Sequence, residues 1–155
     1  MKVGVALALD RDAGELFADA RALENAGADS FWAASAEIQL VLLAAVAAVT
    51  WRARIVVTDG VPDPARDTLG HLARGRLALA ATRAGEVVLP AGDDGEERWI
   101  RAPFPNGRAG WKELRARSEA AGIAGIVLPN DPRLLDLLRN PDVEDDRSDV
   151  KLAFG

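Results

Sequence analysis

The sequence predicts an α/β fold: an incomplete TIM-barrel-like βα repeat with mainly parallel strands and an inserted β-meander. Three observations carry this expectation. In the stretch from Ala20 to Trp32 a helical pattern ends at Gly27, and only Ala28 separates that glycine from strand residues beginning Asp29-Ser30. Glycine suits the left-handed position that closes a helix, and so tight an α-to-β junction belongs to crossover helices feeding parallel strands. Apolar runs of strand length then recur along the chain, with helical patterns between most of them. Finally, Ala91-Gly92-Asp93-Asp94-Gly95 is a turn signal between two short strands, which must therefore be antiparallel.

Taken in order, Val3–Leu9 lacks polar alternation and reads as a strand buried on both faces. Asp10-Arg11-Asp12 supplies an N-cap for a helix over Ala13–Ala26, with Leu16, Ala20 and Leu23 on one stripe. Asp29–Ala34 is the second strand. Ser35 caps a second helix running to Val49, with Glu37 in its first turn. Arg54–Thr58 is a β-branched third strand, followed by a loop at Asp59–Pro64, a short helix over Ala65–Ala73 and a fourth strand at Arg76–Ala81. The meander comprises Glu86–Leu89 and Arg98–Ala102. The α/β pattern then resumes: a helix carries Trp111, Leu114, Ser118 and Ala121 on one stripe and stops at Gly122. Ile123–Leu128 is a buried strand, and Asp131-Pro132 opens a last helix to Arg139. Residues 1–141 thus form one α/β domain, and the acidic tail 142–155 is expected to fray.

Composition narrows the functional classes. The chain has 155 residues, and 49% of them are hydrophobic, enough for a sizeable core. A formal charge of −5 argues against a general nucleic-acid or anionic-membrane binder. No cysteine is present, which excludes disulfides and thiolate metal sites. The longest apolar run, Leu40–Val49, is too short to span a bilayer, and nothing near Met1 resembles a signal peptide, so a cytoplasmic setting is expected. That same run is apolar all round and needs cover on more than one side, which predicts a homodimer built on the second helix.

Three phrases give the chain a family likeness. Ala20, Arg21, Glu24, Gly27, Asp29, Ser30 and Trp32 match a helix Ala-Arg-x-x-Glu-x-x-Gly running into a strand Asp-Ser-x-Trp. Leu42–Thr50 with Arg52 matches an Ala/Leu-rich helix ending Thr-x-Arg. Thr68-Leu69-Gly70-His71-Leu72-Ala73-Arg74-Gly75-Arg76 stands where Thr-Leu-Asp-His-Leu-Ser-x-Gly-Arg precedes strand four. In these respects residues 2–79 resemble the luciferase-like oxidoreductases. The resemblance implies a βα barrel, FMN or F420 as cofactor, and monooxygenase-like chemistry. The departures concern that chemistry. Ser35 and Ala36 stand where the family commonly keeps Asp-His at the barrel mouth, and Ala80 and Thr82 stand where it keeps glycines beneath the cofactor ring. A full eight-stranded barrel also rarely falls below about 200 residues.

In βα proteins chemistry collects at the C-terminal ends of the strands. The polar residues there are Asp10, Ser35, Thr58, Asp59, Thr82, Arg83 and Asn130. Helix capping explains Asp10, Ser35 and Asn130 or Asp131 more simply. Arg83 has no capping role and is the favoured contact for an anionic group. The cofactor-binding candidates are therefore Arg83, Ser35, Thr58, Asp59 and Asn130. His71, the single histidine, lies at the opposite end and reads as a surface or packing residue. Asp93, Asp94, Glu96 and Glu97 lack EF-hand spacing and read as a solvated hairpin turn. Trp32, Trp51, Trp99 and Trp111 read as packing anchors rather than a cleft.

No phosphate loop, zinc pattern or nucleophile elbow is present. The expectation is a degenerate luciferase-like protein that binds a flavin, F420 or another flat ligand, its ancestral oxidoreductase activity weak or absent. The alternatives are an active flavin- or F420-dependent oxidoreductase with a rebuilt site completed by a second subunit, and a ligand-free interaction or structural protein.

Overall fold

The computed structural model describes residues 1–7, 12–33, 37–58, 60–83, 86–91 and 95–141. Strand β1 (Lys2–Ala6) is followed by α1 (Ala13–Asn25), β2 (Ser30–Ala33), α2 (Glu37–Val49), β3 (Arg54–Thr58), α3 (Asp63–Ala73) and β4 (Leu77–Arg83). Strands β5 (Glu86–Ala91) and β6 (Gly95–Arg101) come next without a helix, then α4 (Gly107–Ala120), β7 (Gly125–Pro129) and α5 (Leu134–Arg139).

The strands close on themselves in the order β1-β2-β3-β4-β5-β6-β7, and β7 pairs with β1. This corrects the expected architecture. The chain is not an incomplete TIM-like repeat: its described residues form a closed, mixed barrel of seven strands with five short helices outside. The meander is no insertion, because β5 runs antiparallel to β4 and β6 while β6 lies parallel to β7, so the two strands are part of the wall. Hairpin connections explain how a short chain closes. Antiparallel neighbours need only a tight turn, whereas each parallel neighbour needs a crossover of a dozen or more residues. Closure also means that, among the described residues, no strand edge is left open to pairing with another chain.

Individual boundaries shift for local reasons. Strand β4 extends to Arg83 and β6 begins at Gly95, because each gains ladder partners on β5. Helix α5 starts at Leu134 rather than beside Asp131-Pro132, because Pro132 and Arg133 form a turn. Helix α1 follows its sequence signals: the Asp12 carboxylate accepts from the Gly14 and Glu15 backbone N–H groups at 2.8 and 3.2 Å, and Gly27 has φ +105°.

Strand alternation divides the apolar residues between two cores. Outward-facing Val3, Val5, Phe31, Ala33, Ile55, Val57, Ile126 and Leu128 pack beneath the helices. Inward-facing Trp32, Val56, Ala80, Val87, Leu89, Trp99 and Val127 fill the lumen. The Trp32 and Trp99 rings lie 5.4 Å apart, and two glycines make room for them. A Cβ on Gly4 would come within 2.4 Å of the Trp32 indole nitrogen, and one on Gly125 within 2.4 Å of the Trp99 ring.

Over β5 and β6 the outer wall carries exposed cross-strand ion pairs in place of helices, Glu86–Arg98 and Arg83–Glu96. Helix α2 packs against α1 and α3, which cover much of its apolar surface. Its outer stripe keeps Val41 70% exposed, with Ala48 exposed below it. Among the described residues no helix is long and apolar enough to cross a membrane.

Candidate functional site

The two ends of the barrel are built differently. At the N-terminal end of the parallel strands, inward-facing Lys2, Arg54 and Glu97 form one ionic cluster. Glu97 accepts from the Lys2 ammonium, from Arg54 Nη2 at 2.7 Å and from the Trp99 indole N–H at 3.1 Å. Burial alone would push the Glu97 carboxyl up. The hydrogen bonds from Lys2, Arg54 and Trp99 outweigh it and hold the pKa down at about 2. The expectation that Glu97 belongs to a solvated turn is thereby corrected. Once β6 extends back to Gly95, alternation turns Glu97 into the lumen with Trp99.

Two more groups tie this end to the helices. Buried Glu24 accepts from the backbone N–H groups of Trp51, Arg52 and Ala53 at 2.7–3.0 Å, pinning the turn between α2 and β3. Burial raises its pKa, but these three N–H groups bring it net below the usual carboxylate range. Arg76 donates to the Ala47, Thr50 and Ala53 carbonyls at 2.7–3.0 Å, satisfying acceptors that the end of α2 leaves open. Asp29 accepts the Val3 N–H at 2.7 Å, and the Ser30 hydroxyl accepts the Trp32 indole N–H at 2.8 Å. Glu24, Asp29, Ser30, Trp32 and Arg76 all belong to the phrases that carry the family likeness. Every one has a structural partner.

The C-terminal end is the mouth. Alternation turns Ala6, Thr58, Thr82 and Arg101 toward the axis here, above Trp32. Trp32 is 1% exposed, so it serves as a floor rather than a ligand platform. The Arg101 guanidinium lies 5.9 Å from the Trp32 ring centroid, within cation–π range, and its side chain is exposed. Among the described residues no carboxylate pairs with Arg101. Chemically this arrangement offers a fork of N–H donors and two hydroxyls. The described mouth residues include no imidazole or carboxylate to move a proton, and among the described residues no cluster of histidines and carboxylates could hold a metal.

Of the predicted site residues, the described ones, Thr58, Arg83 and Asn130, are not brought together. Thr58 sits in the mouth, half-buried at the end of β3. Arg83 follows inward-facing Thr82 and so points outward, paired with Glu96 at 2.8 Å on the exposed wall. Asn130 is buried beside the outer groove between α1 and the turn before α5, lined also by Glu15, Asp19 and Asp131. Asp10, Ser35, Ala36 and Asp59 lie outside the described residues. His71 is exposed on the last turn of α3.

Arg101 escaped sequence reasoning, although a signal was present. Glu97, Trp99 and Arg101 alternate, and a full-length β6 places all three on one face. Neither a protein-family model nor a curated protein matches this chain.

Proposed function

We propose that this chain is a ligand-binding barrel, a degenerate relative of the luciferase-like oxidoreductases, which takes a flat anionic molecule such as FMN or F420 at its mouth. The observation that carries the reading is the Arg101 guanidinium, laid over Trp32 at the open end with its outer face toward solvent. A planar ring can stack on that face, and the N–H fork suits a phosphate or carboxylate. Thr58 and Thr82 add hydroxyls on the opposite wall. The ancestral oxidoreductase activity is weak or absent, because the described mouth offers binding groups without a proton-transfer group. An active enzyme completed by a second subunit is the weaker reading, since hydrogen bonding already closes the barrel wall all round.

A cytoplasmic setting belongs to this proposal and is supported by the absence of cysteine. So does a homodimer, for which the outer stripe of α2 around Val41 is the contact. Anaerobic titration with FMN and with F420, followed by turnover with each reduced form, tests the function. Saturable binding with negligible turnover is expected. Binding with rapid substrate-dependent oxidation makes the chain an active enzyme, and no binding of either compound makes it an interaction or structural protein.

A further inference from the structure

At the N-terminal end of the parallel strands, outside the barrel, a second surface has no part in the mouth. Trp51, immediately beyond α2, is 67% exposed. The Arg74 guanidinium lies 4.1 Å from its ring centroid. Arg21, Asn25, Ala48, Val49 and Trp51 line a groove of about 350 Å³ between α1 and the end of α2, with Glu24 at its base. Arg52 also reaches this base, donating to the Glu24 carbonyl at 3.2 Å.

The patch is cationic in an acidic protein. Arg21, Arg52 and Arg74 are all exposed, and among the described residues none makes an ion pair with a carboxylate. Glu24 keeps its negative charge beneath the patch and attracts Arg52, but one carboxylate leaves the three exposed guanidinium groups in excess. Arg74 also lies near enough to Arg76 to oppose its charge.

Arg74 occupies the left-handed region, φ 52° and ψ 50°, at the end of α3. That conformation favours glycine and is strained for a residue with a side chain. The strained position carries the guanidinium that stacks on Trp51.

We infer that the Arg21–Arg52–Arg74 patch around Trp51 is a docking surface for an acidic peptide segment of a partner protein. Its carboxylates would engage the three guanidinium forks, and an apolar side chain would lie on Trp51 and Ala48. Charge complementarity carries the choice of occupant. A nucleic acid is disfavoured because the chain's net charge of −5 repels a long polyanion, whereas a short acidic segment meets only the local patch.

The test is a heteronuclear NMR titration of the full chain, following the Trp51 indole N–H resonance assigned from Trp51→Phe. The probe is the blocked peptide Glu-Glu-Asp-Leu-Glu-Asp-Asp. Its glutamine and asparagine analogue and an oligothymidylate about twelve nucleotides long serve as comparisons. The acidic peptide should shift the resonance saturably, and its affinity should fall between about 50 and 300 mM salt. Arg21→Gln and Arg74→Gly should each weaken binding about 3- to 10-fold. Arg74→Gly should at the same time raise the unfolding midpoint by removing backbone strain, so lost binding cannot be attributed to lost folding. No saturable shift, equal binding of the neutral analogue, tighter binding of the oligonucleotide, or unchanged affinity in Arg74→Gly would each overturn the inference.

Discussion

The two ends of this barrel use similar residue types to opposite effect. At the N-terminal end Glu24, Arg76 and Glu97 are each hydrogen-bonded by several partners, and each ties one element to another. At the mouth Arg101 meets only an aromatic face among the described residues, while Thr82 is exposed and Thr58 half-buried. Glu24 caps the turn before β3, Arg76 satisfies carbonyls at the end of α2, and Ser30 holds the Trp32 indole. These residues account for how the barrel is held together and leave the reaction undetermined.

The N-terminal end of the barrel should tolerate substitution poorly. Glu24→Ala should have the largest effect, because it orphans three backbone N–H groups. A loss of about 3–5 kcal/mol is expected in urea denaturation. A loss below about 1 kcal/mol would show that water replaces the carboxylate.

Acid titration sharpens the same point. Glu97 has a lower pKa folded than unfolded, so its contribution is complete above its ordinary value of 4.5. It is lost as the pH falls through about 2. A contribution of roughly 3 kcal/mol follows from a shift of that size. Stability measured between those pH values should fall in the wild type and run flatter in Glu97→Gln. Parallel curves for the two proteins would contradict the assignment.

Gly125→Ala tests the filled lumen. Its methyl group meets Trp99, and overpacking should destabilise by about 1–3 kcal/mol. Trp99→Leu in the same chain should recover part of that loss, whereas additive losses would mean that the two residues do not share the space. A smaller stability effect, within about 0.5 kcal/mol, is expected for Val41→Glu on exposed α2. Light scattering should show that this variant is monomeric where the wild type is dimeric, and a wild-type monomer would remove the proposed contact.

Local signals placed most elements near their observed positions. Asp12 and Gly27 bracket α1, and the β-branched run Arg54–Thr58 is β3. Closure was less legible because it depends on which strand lies beside which. Length counted against a closed barrel only on the assumption that every strand needs its own crossover helix. The site was less legible still. Arg83 and Arg101 are both arginines at strand ends, and only register decides that one faces solvent outside the wall and the other faces the axis. Shortening β6 to begin at Arg98 hid the alternation of Glu97, Trp99 and Arg101. The glycines at 4 and 125 gave no warning alone, since their role depends on tryptophans far away in the sequence.

The most direct test of the division between a holding end and a binding end is an FMN titration of the wild type and Arg101→Ala, with unfolding midpoints measured on both. Micromolar binding is expected for the wild type, with a loss of about 10- to 100-fold in Arg101→Ala and midpoints that agree closely. Equal affinity in the two proteins, or a midpoint that falls together with the affinity, would contradict that division.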